Sequence, residues 1–166
     1  MELWDVLDAD GNKVGKIHER GKPMAQGEYH LVVDVWIMDG KGNFLISKRT
    51  ATKHPDPDKW EPTCGCAIMH DDSLSAALRE VEEELGITLN PQNGKMIKRF
   101  KVGRDNIVDV WLFRQEVDID TVILHPEETS DVMWATMDTI RQLINNSDFI
   151  NAGRVPYVEE LFQMCE

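Results

Sequence analysis

Arg79-Glu80-Val81-Glu82-Glu83-Glu84-Leu85-Gly86-Ile87, near the middle of a 166-residue chain, is the stretch whose spacing decides the fold. At about 100° per residue, Leu74, Ala77, Leu78, Val81 and Leu85 fall on one stripe and predict an amphipathic helix from about Ser73 to Leu85. Asp72 or Ser73 suits the N-cap, and Gly86 is placed to end the helix in the left-handed conformation. Beside the apolar stripe, Glu80, Glu83 and Glu84 share roughly a third of the helix circumference. Glu80 and Glu84 are an i,i+4 like-charge pair, which destabilises a bare helix by a few tenths of a kcal/mol. Glu-rich helices are commonly just solvated, but three carboxylates crowded against a buried stripe suit a hard divalent cation.

Outward from this helix the chain reads as strands and turns. Asp8 to Asn12 is a hairpin turn between strands at Leu3–Leu7 and Lys13–His18. Leu31 to Met38 is apolar and β-branched, as a central strand is. Asp39 to Asn43 turns the chain, and Phe44 to Ser47 returns it. A loop carrying Pro55, Pro57 and Pro62 leads to the helix. Beyond it, Lys95–Lys101 and Ile107–Val117 read as strands around a turn at Gly103–Asn106, with a short strand at Met133–Ala135 and helices at Met137–Ile144 and Tyr157–Met164. Strands on both sides of a helix predict a mixed sheet covered by helices, an α/β fold in one domain. Trp36, Trp60, Trp111 and Trp134 fit the core better than a ring-stacking surface.

Composition narrows the function. Eighteen basic against thirty acidic residues give a net charge of -12, which opposes binding a nucleic-acid polymer through its phosphates. A small phosphorylated substrate remains compatible, because a metal neutralises local repulsion. The apolar runs are too short for a membrane span, and the acidic start Met1–Asp5 lacks a secretory pattern, so the cytoplasm is expected. Cys64, Cys66 and Cys165 make no disulfide framework, and Cys64, Cys66 and His70 lack a standard zinc spacing.

The central stretch resembles the Nudix box of the Nudix hydrolase superfamily, G-x5-E-x7-R-E-U-x-E-E-x-G-U, where U is a bulky aliphatic. Gly65, Arg79, Glu80, Val81, Glu83, Glu84, Gly86 and Ile87 match. Asp71 stands where the pattern has its first Glu. At about 6 % per position for the six fully specified matches, a chance match anywhere is on the order of 10⁻⁵. The resemblance implies an α/β/α sandwich with a mixed β-sheet, residues 1–30 forming an N-terminal hairpin extension and 65–87 the box. It implies a hydrolase that cleaves a diphosphate in a nucleoside diphosphate linked to another group, or in a related nucleotide, with Mg²⁺ or Mn²⁺.

By the same resemblance, Glu80, Glu83 and Glu84 are the metal-binding acids. The general base is Glu80 or a later-loop carboxylate, Glu127 or Glu128. Arg79 orients a catalytic Glu, and Gly65 permits close backbone approach. Asp71 is expected to hold a water of the metal shell, or Asp72 to substitute for it. Arg49 and Lys53, at a strand end and the loop after it, are candidates for phosphate oxygens, their bland reading being solvated loop charges. Gly27–Val33, Arg49, Lys53, Trp60 and Cys64-Gly65 are further similar to the subgroup related to isopentenyl-diphosphate isomerase. There the residue at Cys64 moves a proton on carbon, with a later-strand Glu whose position falls at Trp111, leaving Asp109 as the nearby acid. Cys64 as a buried filler is the plainer reading. Two enzyme classes therefore stand, a hydrolase and an isomerase using Cys64; a non-catalytic binding module is disfavoured by the intact acids. The Arg20-Gly21 and Gly27–His30 region is a candidate contact for a homodimer.

Overall fold

The computed structural model describes residues 1–166. Strands β1 (Leu3–Leu7) and β2 (Lys13–Glu19) form a separate two-stranded hairpin. The main sheet has seven strands: β3 (His30–Met38), β4 (Phe44–Arg49), β5 (Trp60–Glu61), β6 (Thr63–Cys66), β7 (Gly94–Val102), β8 (Asn106–Arg114) and β9 (Thr129–Ala135). Its order is β5-β4-β3-β8-β7, with β6 pairing β3 and β9 pairing β4. The β3–β8 pair is parallel and the others antiparallel, so the sheet is mixed as expected.

Strand β3 explains why the sheet is covered on both faces. Its residues alternate faces; one set is wholly apolar, and the other is apolar apart from the buried His30 and Asp34. Leu31, Val33, Val35 and Ile37 pack with Ala76, Ala77, Val81 and Leu85 of helix α1 (Ser73–Leu85). Trp36 and Met38 face the opposite way, toward helices α2 (Met137–Asn145) and α3 (Val158–Cys165). Val81 and Leu85, fully buried on α1, each contribute about 1.5–3 kcal/mol, which outweighs the helix's like-charge repulsion. Asp72 is the N-cap, accepting from Ser75 N–H at 2.7 Å. Gly86 ends α1 at φ 66° and donates its N–H to Glu82 O.

Several boundaries differ from expectation. The proline-bearing loop contains β5 and β6, where Trp60-Glu61 and Thr63–Cys66 show no hydrophobic alternation. They are strands because β4 and β3 offer open backbone edges. Strand β8 stops at Arg114 rather than Val117, β9 begins earlier at Thr129, and α3 begins at Val158. Trp36 is fully buried; Trp60, Trp111 and Trp134 are half-buried against the two cores. No helix is long and apolar enough to cross a membrane.

Candidate active site

The box acids open into a cleft of about 1140 Å³. One wall is the acidic face of α1, another the β4–β5 loop, and the floor passes β6 onto the sheet face opposite α1. Gly65 on β6 makes this arrangement possible. A Cβ there would lie 2.1 Å from Glu80 Cδ and 2.4 Å from Oε2, so only glycine lets the carboxylate lie against the strand.

Arg79, expected to orient a catalytic Glu, contacts two of the box acids. Its Nη1 donates to Glu80 Oε1 at 3.0 Å and to Glu83 Oε2 at 3.1 Å. Its Nε and Nη2 donate to Asp71 Oδ2 at 3.1 and 2.9 Å, and Nη2 also to the Cys66 carbonyl at 3.0 Å. Asp71, which also accepts from Ile68 N–H, is thus occupied in holding Arg79. Asp72 is occupied in capping the helix. The shorter Asp at this position reaches both Nε and Nη2 of the guanidinium.

The three box glutamates are not equivalent. Glu84 is 4 % exposed, and its Oε2 has no hydrogen-bond partner. Glu80 is half-buried, whereas the Glu83 side chain is 56 % exposed and drawn to Arg79. Glu80, Glu83 and Glu84 all line the one cleft, though no three His, Cys, Asp or Glu side chains are drawn together as a ligand group. Burial pushes the Glu84 carboxyl up to about 8 and Glu80 up to about 7, against the pull of Lys53 and Arg79 respectively. Lys53 and Arg79 do not offset the burial of these two carboxylates, and Glu84 keeps an unpartnered oxygen, so the pair has room for more positive charge. A hard divalent cation supplies it, so these residues fit Mg²⁺ or Mn²⁺.

Arg49 and Lys53 do reach the site, but already engaged. Lys53 Nζ lies 2.6 Å from Glu128, 3.4 Å from Glu84 and 3.7 Å from Glu61. Burial alone would lower its pKa; the surrounding carboxylates raise it instead, so it stays an ammonium. Arg49 donates through Nη1 to the buried Glu61 at 2.9 Å, while its buried Nε is unpartnered. Burial raises the Glu61 carboxyl despite Arg49 and Lys53. Glu128 behaves oppositely: burial would raise it, but Lys53 outweighs that and holds it below the usual range. Glu127 is exposed at the rim.

Cys64 lines the cleft, and its thiol is raised well above the usual value by burial, then by Asp34 and Glu61. Asp34 is its cross-strand neighbour. Asp109 is not near it. On β8, Val108 and Val110 face the same core as Cys64, so Asp109 and Trp111 face α1. There Asp109 accepts from Arg99 at 2.6 and 2.8 Å and from Ser73 at 2.6 Å, and Trp111 donates to Ser73. The acid expected to serve Cys64 is therefore on the wrong side of the sheet.

Arg154, which lines the cleft, and the buried residues that hold it escaped the sequence reading. Asp34 is fully buried and accepts from both Arg154 terminal nitrogens, at 2.7 and 2.5 Å, and from Tyr157 Oη at 2.7 Å. A charged residue inside the apolar run Leu31–Met38 was a readable signal that a partner existed, though nothing local named Arg154. Arg20 and His30, considered for a dimer contact, line the chain's own cleft: Arg20 pairs with Glu2 and lies over Trp4, and His30 stacks on Trp4.

The chain matches the NUDIX domain family over residues 28–155. It is 36% identical over 169 residues to the uncharacterised Nudix hydrolase lin0387 of Listeria innocua, covering 99% of this chain and 95% of that one. It is 26% identical over 155 residues to isopentenyl-diphosphate Delta-isomerase 2 of Photorhabdus laumondii, covering 88% of this chain and 84% of the isomerase. Among solved structures it is similar to DR0079 from Deinococcus radiodurans, with a TM-score of 0.75, 20% identity and 99% of each chain covered, a likeness of fold. With the box residues gathered at one cleft and the match spanning most of its length, the chain belongs to the Nudix hydrolase family.

Proposed function

We propose that the protein hydrolyses a diphosphate within a nucleoside diphosphate linked to another group, or a related nucleotide, with Mg²⁺ or Mn²⁺ held by Glu80, Glu83 and Glu84. The observation that carries this reading is the pairing, in one cleft, of the unpartnered buried Glu84 Oε2 with the unpartnered buried Arg49 Nε–H. One is an acceptor without a cation, the other a donor without an anion, and a metal–diphosphate supplies both. The bound metal would neutralise phosphoryl oxygens and lower the pKa of water.

The chain's own groups do the rest. Arg49 Nε–H and the Lys53 ammonium present donors to phosphate oxygens. Arg79 holds Glu80 in place from a side chain itself fixed by Asp71. Glu128, ionised beside Lys53, is free to accept a proton at neutral pH once substrate oxygens draw Lys53 away. Glu80, held by Arg79 at the mouth of β6, is the other candidate base.

One observation favours the isomerase: Cys64 lies in the cleft beside Gly65. Against it, both oxygens of the adjacent Asp34 are engaged by Arg154, and Tyr157 also donates to Oδ2. A panel of diphosphate compounds assayed for phosphate release after phosphatase coupling, with Mg²⁺ or Mn²⁺, separates the two. Glu83→Gln is expected to abolish release and Cys64→Ala to leave it within about twofold. Absence of turnover on every phosphoanhydride sinks the hydrolase reading. Isomerised allylic product without phosphate release, lost in Cys64→Ala, establishes the isomerase instead.

A further inference from the structure

Glu61 is the carboxylate that touches both cations at the diphosphate end of the cleft. Its Oε2 accepts from Arg49 Nη1 at 2.9 Å, and its Oε1 lies 3.7 Å from Lys53 Nζ, one oxygen for each. Glu84 and Glu128 also face Lys53, but Arg49 pairs with Glu61 alone. Neither the metal-binding acids nor the candidate bases include Glu61.

The backbone under it is fixed from two sides. In β5, Glu61 stands opposite Ser47 and Trp60 opposite Lys48 of β4, and Arg49 N–H donates to the Lys59 carbonyl at 2.8 Å. On the far side, Trp60 N–H donates to Asp148 O at 2.9 Å, and Ile150 N–H donates to Trp60 O at 3.0 Å. A strand of two residues is thus tied both to β4 and to the chain between α2 and α3. The Glu61 side chain, 2 % exposed, is confined by its surroundings. Free Arg and Lys side chains, by contrast, each carry about 2 kcal/mol of rotamer entropy.

Stability does not account for an acid at this position. Burial pushes the Glu61 carboxyl up despite Arg49 and Lys53, and a buried ion pair is often replaceable by apolar residues without loss. What the carboxylate supplies is direction. With Arg49 Nη1 committed to Glu61, the buried Nε–H is left without a partner in the cleft. The other oxygen keeps a hold on Lys53 that does not depend on Glu84 or Glu128, the acids read as metal ligand and candidate base. A carboxylate shared by two like charges also offsets their mutual repulsion.

We infer that Glu61 is a positioning residue for diphosphate binding: it holds Arg49 and Lys53 at a fixed spacing, ready for the oxygens of one diphosphate, and touches neither substrate nor metal itself. This assignment rests on the diphosphate-hydrolase reading, in which those two cations meet phosphate oxygens.

The test uses the full-length protein with Mg²⁺ and imidodiphosphate, a diphosphate that is not hydrolysed, titrated by calorimetry. Glu61→Gln keeps the side-chain length without the charge. Glu61→Asp keeps the charge but withdraws it by one methylene, so one carboxylate no longer reaches both cations. Each is expected to weaken imidodiphosphate by about 10- to 100-fold and to raise KM with a smaller change in kcat. Mn²⁺ affinity of the substrate-free protein, read by electron paramagnetic resonance, should not fall. In an Arg49→Gln background, Glu61→Gln should weaken imidodiphosphate less than it does alone, because one of the groups it positions is gone. Unchanged imidodiphosphate affinity in a folded variant, full additivity with Arg49→Gln, or a matching loss of Mn²⁺ affinity overturns the assignment. If Glu61→Gln leaves Arg49 unpaired and fails to fold, Glu61→Asp decides by the same affinities. Absence of all phosphoanhydride turnover defeats the hydrolase reading; imidodiphosphate binding needs no turnover and still decides the role of Glu61. Wild-type protein that binds no imidodiphosphate overturns the assignment outright.

Discussion

Gly65→Ala isolates the contact on which the box geometry depends. The added methyl would stand 2.1 Å from Glu80 Cδ and 2.5 Å from Cγ, where ordinary contact begins at 3.4 Å. Glu80 must therefore retreat by more than about 1 Å, a displacement that costs a positioned catalytic group about 10²-fold in rate, or about 2.7 kcal/mol. Stability should barely change. The clash is with the mobile end of a side chain, Gly65 has no positive φ, and alanine gains about 0.5–1 kcal/mol over glycine inside a strand. That gain offsets a weakened Glu80–Arg79 contact. The assay is kcat/KM by coupled phosphate release beside a thermal melt. The expected result is a fall of about 100-fold with Tm within about 4 °C. Because both changes act on one carboxylate, Gly65→Ala combined with Glu80→Gln should be no slower than Glu80→Gln alone. Wild-type turnover in folded Gly65→Ala would refute the reasoning, as would full additivity in the double variant.

Other expectations follow from the same contacts. Asp71→Asn replaces a carboxylate oxygen that accepts two N–H bonds from Arg79; kcat should fall about tenfold with KM little altered, and an unchanged kcat would show that Asp71 does not hold Arg79. Asp34→Asn leaves Arg154 without its charge partner in a buried setting, so denaturant melts should show a loss of about 3–5 kcal/mol. Metal-free protein should lose stability as pH rises from about 5 to 8. Glu80 and Glu84 have folded pKa values of about 7 and about 8 against 4.5 for the free group; the folded state binds their protons more tightly, so stability is greatest below 4.5 and is lost as pH passes the folded values. Mg²⁺ competes with those protons, so its effect on Tm should be larger at pH 8 than at pH 5.5. An equal Tm gain at both pH values would place the metal elsewhere.

Local signals made the box legible. The 3.6-residue period of α1, the capping Asp72 and the left-handed Gly86 are all written in neighbours of neighbours, and the helix formed where they indicated. Strands β5 and β6 had no such signal. Their pairing depends on open edges supplied by β4 and β3, distant in the chain. The roles of the acids split the same way. Glu80, Glu83 and Glu84 share one helix face by spacing alone, yet Glu84 is buried while Glu83 is exposed and drawn to Arg79. That difference comes from what stands opposite: Lys53 and the β4–β5 loop on one side, solvent on the other.

The sequence by itself determined the family, the reaction class and the helix that carries the box, because those are encoded in short-range spacing around a single element. Only the tertiary structure decided that Asp71 holds Arg79, that Asp109 lies across the sheet from Cys64, and that Arg154 and His30 line the rest of the cleft, backed by the buried Asp34, Tyr157 and Trp4. Asp34 and Arg154 are separated by 120 residues along the chain. Strand register and the docking of the C-terminal segment bring them within hydrogen-bonding distance, and no local pattern carries that information.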